Sequence, residues 1–325
     1  MTLLDVEGVA KSFPARRRKA VVRAVRDVSF RLDRGQTLGV VGESGSGKST
    51  TARLVLGLIR PDAGRVHLDG MDVLAARGDR LHALRRRMPM VFQDPYSSLD
   101  PTWTVRDIVT EPVRLGRRRD RAVPATRAAE LLELVGMAPA FAQRYPHELS
   151  GGQRQRVAIA RALACDPDLV ALDEAVAALD VSTRAGIIGL LQDLQTSLGV
   201  AYLFISHDLA LVRLVSHEVA VMYLGRIVER GPTERVYAAP AHPYTRALIS
   251  AVPVPDPVVQ RNRTRPPVLG EVPSALAVPS GCAFHPRCPL ATDICRTIDP
   301  PVVDLDDGHA AACHHVALIT KEGVS

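Results

Sequence analysis

The sequence is short of aromatics: one Trp, six Tyr and six Phe, 4% of 325 residues. Few flat rings are therefore available to stack on unpaired bases, so the excess of 41 Lys and Arg over 35 Asp and Glu does not read as a nucleic-acid surface. The arginine runs at 16–18, 85–87 and 117–119 are scattered and read as solvated faces. No apolar run approaches the ~18 residues needed to cross a bilayer. The amino terminus, Met1-Thr2-Leu3-Leu4-Asp5-Val6-Glu7, carries early acids and lacks the basic-then-apolar pattern of a secretion signal. The expectation is a soluble chain made in the cytoplasm. None of the five cysteines forms a C-x-x-C pair, which removes the commonest zinc spacing. What is plentiful is apolar residues, 46%, ample for a packed core in a chain longer than one typical domain.

Against that background one segment is chemically specific. Gly42-Glu43-Ser44-Gly45-Ser46-Gly47-Lys48-Ser49 fits G-x-x-x-x-G-K-[ST] and follows an apolar run at 37–41 that reads as a buried strand. Glycines at 42, 45 and 47 let backbone N–H groups converge on phosphates, at the positive end of a helix opening near Lys48. Lys48 brings a point charge to the outer phosphates, and the Ser49 hydroxyl suits a magnesium ion. A second apolar run, 169–172, ends in Asp173-Glu174, two carboxylates at the C-terminal end of a strand, where open α/β sheets bind ligands. Asp173 is expected to hold magnesium and Glu174 to polarise the attacking water as general base. An acidic turn after a strand is the ordinary alternative for that pair.

Leu149-Ser150-Gly151-Gly152-Gln153 precedes an expected helix at 154–164, with Ser150 and the glycine amides offering donors to a phosphate. With these motifs in order, the chain resembles the ATP-binding subunit of an ABC transporter. The resemblance implies a P-loop NTPase ABC cassette: an α/β, RecA-like core with an antiparallel β edge and an inserted helical subdomain. It implies that Ser150, Gly151, Gly152 and Gln153 serve nucleotide on an opposite subunit, and that Ser44 and Thr50 join the phosphate loop in binding ATP. Gln93 resembles the Q-loop glutamine that touches magnesium and water, His207 the switch histidine that holds the γ-phosphate, and Asp180 the D-loop aspartate at the dimer interface. Phe13 lies where the family places an aromatic on adenine; an ordinary core Phe fits that position nearly as well. The family's usual Pro after the catalytic Glu is here Ala175, which frees a backbone N–H and loosens the turn toward Asp180.

The pattern divides the chain into a cassette at 1–231, with its helical subdomain at about 94–164, and an extension at 232–325. Strands are expected at 3–9, 24–32, 37–41, 65–68, 169–172, 202–205, 218–223 and 226–231, and helices at 48–59, 127–135, 183–198 and 209–215. Fourteen of the 24 prolines fall from Pro232 onward, so the extension is expected to be irregular, without repeated helix or central strand. Its His242-Pro243-Tyr244-Thr245 and Gly281-Cys282-Ala283-Phe284-His285-Pro286-Arg287-Cys288-Pro289 resemble the tails of ATPases from peptide and nickel importers. Gln93-Asp94-Pro95-Tyr96-Ser97-Ser98-Leu99 and Glu111-Pro112 resemble the second, "F"-type, of the two unequal ATPases in dipeptide and oligopeptide systems. That likeness implies a non-identical ATPase partner, two transmembrane permease subunits and an extracytoplasmic substrate-binding protein, no nucleic acid, and a peripheral place on the cytoplasmic face of the cell membrane. A nickel or other small-solute importer is the first alternative, and a soluble non-transport ABC ATPase the second.

Cys282, Cys288, Cys295 and Cys313 are separated by five, six and seventeen residues. In a reducing compartment four such thiols point to a metal or to nothing. Relatives with this tail resemble carriers of a [4Fe–4S] cluster, for which four thiolates are the right number; zinc and unligated thiols are the alternatives. Cys165 reads as a small core residue.

Overall fold

The computed structural model describes residues 1–15, 21–94, 98–116, 124–252, 261 and 269–322. The arginine runs at 16–18 and 117–119, and Pro95, Tyr96 and Ser97 of the "F"-type motif, lie outside the described residues. Two sheets organise the rest. Strands β1 (Thr2–Pro14), β2 (Val21–Asp33), β4 (Ala63–Leu68) and β5 (Met71–Asp72) form an antiparallel sheet in the order β2-β1-β4-β5. Its alternating burial leaves one face for the core and one for water.

The larger sheet runs β11-β12-β10-β9-β3-β8-β7-β6. Its centre is β3 (Thr37–Val41), β7 (Leu169–Asp173), β8 (Ala201–Ser206) and β9 (Glu218–Tyr223), with β6 (Met90–Val91) at one edge; neighbouring pairs among these are parallel. Every residue of β3, β7 and β8 is buried, because a parallel sheet is covered on both faces and its strands carry near-continuous apolar runs. Leu38 and Val40 of β3 pack into a core shared with the antiparallel sheet, whereas Val41 packs into the core on the other side.

Helix α1 (Lys48–Val55) leaves β3 through the phosphate loop, and α2 (Gly78–Arg87) precedes β6. No strand is found between β6 and β7 among the described residues, as the sequence predicts. That stretch holds α3 (Val105–Gly116), α4 (Ala125–Leu134) and α5 (Gly151–Leu163). The predicted stripe of Ala128, Leu131, Leu132 and Val135 is buried, so this helical arm shares the core of the main sheet. After β7 come α6 (Val181–Leu198) and α7 (Leu209–Val215).

The extension departs from the irregular segment that its prolines suggest. It holds α8 (Thr233–Ala238), α9 (Pro243–Ala251), α10 (Asp293–Thr297) and α11 (Val316–Glu322). Two short strands, β11 (Val303–Asp304) and β12 (Ala310–Ala311), continue the large sheet beyond β10 (Arg226–Pro232), with Glu229 opposite Ala311 and Arg230 opposite Ala310. Proline is excluded from helix interiors and central strands, not from first turns and edges. Pro243 accordingly opens α9, and the added strands lie at the sheet edge. The extension packs in two places: Ala241, Ala311, Cys313, Val316 and Ile319 form a small core of their own, and Tyr244 and Phe284 join the cassette core against Tyr223, with ring centroids 4.7 to 5.4 Å apart.

Candidate active site

The site lies at the C-terminal ends of β3, β7 and β8. At Gly47 φ is 101°, and a Cβ there would stand 2.4 Å from the carbonyl oxygen of Ala24. At Gly42 a Cβ would stand 2.2 Å from the carbonyl oxygen of Met222. The loop is thus pressed onto β2 and β9 at positions that only glycine fits. A cavity of about 280 Å³ opens beside it, lined by Ser44, Gly45, Gly47, Lys48, Ser49 and Thr50 of the loop and by Gln93 and Glu174.

Lys48 is buried, its ammonium donating to the carbonyl oxygens of Gly42 at 2.7 Å and Glu43 at 2.9 Å. Burial lowers its pKa, against the upward pull of Glu174, Asp173 and Glu43. Ser49 Oγ donates to Asp173 Oδ1 at 2.7 Å, and burial raises the Asp173 pKa despite that bond. A hydroxyl and a carboxylate side by side are hard oxygen donors, the chemistry that a magnesium ion takes.

Glu174 stands one residue past β7 with φ 48°, in the left-handed region, its N–H donating to the carbonyl of Ile205 at 2.9 Å. This turn aims its carboxylate back over the cavity. Gln93 Nε2 donates to Glu174 Oε2 at 2.9 Å, and His207 Nδ1 stands 3.3 Å from Glu174 Oε1. Gln93, Glu174 and His207 come from the ends of β6, β7 and β8 and from three distant stretches of chain. The structure brings them together around one carboxylate.

The other expected residues stand apart. Ser150 caps α5: its Oγ accepts from the Gln153 N–H at 3.3 Å, and Gln153 Oε1 accepts from the Ser150 N–H at 2.9 Å. Asp180 caps α6, accepting from Ser182 Oγ at 2.6 Å, Thr183 Oγ1 at 2.7 Å and the Thr183 N–H at 2.9 Å; these bonds hold its carboxyl well below the usual range. None of Ser150, Gly151, Gly152, Gln153 or Asp180 is among the described residues that line the phosphate cavity. Phe13 also stands outside that lining, half-buried on β1 opposite Val22, with the Lys11 ammonium 5.6 Å from its ring.

The four tail cysteines converge. Cys282 N–H donates to the carbonyl of Cys295 at 2.9 Å, and Cys313 lies close enough to Cys282, Cys288 and Cys295 for their charges to interact. Burial pushes the Cys282 thiol up to about 11, the Cys313 thiol up to about 12, and Cys288 upward as well. Cys295 Sγ lies 3.5 Å from His315 Nε2. Among the described residues, however, no three His, Cys, Asp or Glu side chains form a group that could hold a metal ion. The expected iron–sulfur centre therefore finds its thiols gathered without a metal-holding arrangement.

Three contacts have no counterpart in the sequence reading. Arg287 forms a two-bond ion pair with Glu43, Tyr244 Oη accepts from the Glu43 N–H, and Ala275 lines the phosphate cavity. The motifs containing Tyr244 and Arg287 are visible in the sequence, but nothing in them names a partner more than 200 residues away.

Comparison with known proteins agrees with this geometry. Residues 25–177 match the ABC transporter family, and residues 228–295 match the oligopeptide/dipeptide transporter C-terminal region. A Sinorhizobium fredii protein named "probable peptide ABC transporter ATP-binding protein" is 56% identical over 317 residues, covering 96% of this chain and 89% of the relative. A dimeric ATP-binding cassette, solved with ADP and Pi in a post-hydrolysis state, superposes with a TM-score of 0.64 at 29% identity, over 71% of this chain and 99% of that one. A cassette from Clostridium perfringens, part of an ABC transporter complex, gives 0.63 at 28% identity, over 73% and 91%. The chain belongs to the ATP-binding subunits of ABC transporters, in the group that carries the oligopeptide/dipeptide transporter C-terminal region.

Proposed function

We propose that the chain is the ATP-hydrolysing subunit of a peptide importer, lying against two permease subunits on the cytoplasmic face of the membrane and fed by a substrate-binding protein. The observation that carries the chemistry is the convergence of Gln93 and His207 on Glu174 beside Lys48 and the Ser49–Asp173 pair. Lys48, with Gly42, Ser44, Gly45, Gly47 and Thr50, binds the ATP phosphates. Ser49, Asp173 and Gln93 would hold Mg²⁺, which supplies charge neutralisation at the phosphates when bound. Glu174 takes a proton from water, with its carboxylate oriented by Gln93 on one oxygen and by His207 on the other. Ser150, Gly151, Gly152, Gln153 and Asp180 serve nucleotide on a second subunit. Their absence from the lining of this chain's own cavity supports that division. Phe13 flanks the adenine, and residues 1–231 and 232–325 act as cassette and extension.

The second subunit is a non-identical ATPase; this reading rests on the "F"-type motif. For the extension, a [4Fe–4S] cluster on Cys282, Cys288, Cys295 and Cys313 is the reading, with zinc as the alternative. It rests on the count of four thiols and on the resemblance of the tail, although no three of these side chains are grouped to hold a metal among the described residues; iron, sulfide and zinc analysis after anaerobic purification decides between them. The test of function is reconstitution of the chain with its permease and ATPase partner in vesicles. Peptide uptake driven by ATP, abolished by Ser150→Arg in the site whose phosphate loop the partner supplies, is expected. Full peptide-coupled turnover by this chain as a lone homodimer overturns the unequal pairing, and uptake of nickel without peptide overturns the cargo.

A further inference from the structure

Glu43 is the first residue after the opening glycine of the phosphate loop, and each of its polar groups is engaged. Its carboxylate accepts from both terminal nitrogens of Arg287, at 2.8 and 3.0 Å. Its N–H donates to Tyr244 Oη at 2.9 Å, and its carbonyl accepts from the Lys48 ammonium at 2.9 Å. The same carbonyl also accepts from the Ser46 N–H at 3.2 Å, and two of the four partners, Arg287 and Tyr244, belong to the extension. Arg287 is buried and sits against both the Tyr223 and Phe284 rings, 5.9 and 5.8 Å from their centroids. Tyr244 is buried in the same aromatic cluster. Ala275, also of the extension, lines the phosphate cavity.

We propose that Arg287 is a positioning residue for nucleotide binding, with Tyr244 as its second point of support. Through Glu43 the extension fixes one of the two carbonyls that hold the Lys48 ammonium, beside that of Gly42, and so helps to set where that ammonium stands when phosphate arrives. A two-bond guanidinium–carboxylate pair sets both distance and plane, which a single contact does not. The extension is thereby a part of the nucleotide site. The groups around Glu174 are held by the ends of β6, β7 and β8, so the clamp acts on binding and leaves the hydrolytic step alone. The inference rests on the phosphate loop being the ATP site.

The experiment is Mg–ATP binding by calorimetry and steady-state ATPase kinetics on the full-length chain with its partners. Arg287→Gln is expected to weaken Mg–ATP binding and raise KM by about tenfold, the worth of one charged hydrogen bond, with kcat changed by less than about twofold. Arg287→Lys, which keeps the charge and loses the fork, is expected to recover only part of the affinity. Tyr244→Phe removes only the hydroxyl on the Glu43 N–H and should give a smaller loss of the same kind. Should Arg287→Gln fail to fold, Glu43→Gln breaks the same pair and leaves every side chain of the extension in place. Unchanged Mg–ATP affinity in the folded variant, or a fall in kcat at constant KM, overturns the proposal. Lys48→Ala separates the two levels: loss of binding there but not in Arg287→Gln overturns the clamp alone, and no loss in either overturns the site itself.

Discussion

The two ends of the phosphate loop lie under opposite regimes. At the Lys48 end, charged groups are held largely out of water: burial lowers the Lys48 pKa and raises that of Asp173, and Glu174 sits in a left-handed turn. At the Glu43 end, the same loop is pinned to an aromatic cluster and a two-bond ion pair. On the proposed function, phosphates and magnesium would offset that desolvation when they bind, whereas the Glu43 end is already closed by its own partners. Within the loop itself, the anchored Glu43 and the charged Lys48 stand five residues apart.

Substitutions at the two ends should therefore fail differently. The largest effect is expected at the Lys48 end, where Glu174→Gln removes the proposed base and should lower ATP turnover about 10²–10⁴-fold while ATP binding persists, checked by single-turnover hydrolysis beside equilibrium binding. At the anchored end, Phe284→Ala should cost about 3–5 kcal/mol, because the ring is fully buried against Tyr223, Tyr244 and His242; the fall in urea midpoint measures it. Equal losses of stability in both variants would dissolve the contrast.

Acid sharpens it further. His242 is buried, its Nδ1 accepts from the Tyr244 N–H at 3.1 Å, and burial lowers its pKa from 6.5 to about 3. A histidine kept neutral in the folded chain takes up its proton more readily when unfolded. The stability it contributes is therefore present above pH 6.5 and is lost as pH falls from there toward about 3. Thermal midpoints taken across that window should fall less steeply in His242→Asn than in the parent chain. The smallest effect is expected at a helix cap beside the site. Asp208 accepts from the N–H groups of Ala210 at 2.9 Å and Leu211 at 3.3 Å, so Asp208→Ala should cost about 1 kcal/mol in the same unfolding measurement.

The sequence was most readable where chemistry and periodicity coincide. The strand at 37–41, the loop after it, the carboxylates after 169–172 and the helix stripe at 128–135 each depend on neighbours within a turn or two of chain, and each stands in the structure as expected. Gln93 and His207 were legible as types in a pattern, whereas their meeting on Glu174 follows only from the order of β6, β7 and β8 in the sheet. The extension was harder to read for two reasons. Its strands are two residues long, below any detectable alternation, and Arg287–Glu43 joins residues 244 apart. A lone arginine in a cysteine-bearing loop says nothing about which carboxylate it meets. Proline content was a fair guide to where long regular elements would be missing and a poor guide to whether the segment packs.

The short strand β12 has a consequence for the chain as a polymer in a crowded cell. It covers β10 at Glu229 and Arg230, and Glu229, wholly buried, also accepts from the N–H groups of Ala241 and His242 and pairs with His309. A chain shortened at Pro232 would keep its phosphate loop but bare the backbone edge of β10, a buried carboxylate without partners and the face of Tyr223. Unpaired edges and exposed rings are templates for association between copies. Such a fragment would be lost to aggregation, and weak activity in it would measure misassembly more than any defect in hydrolysis.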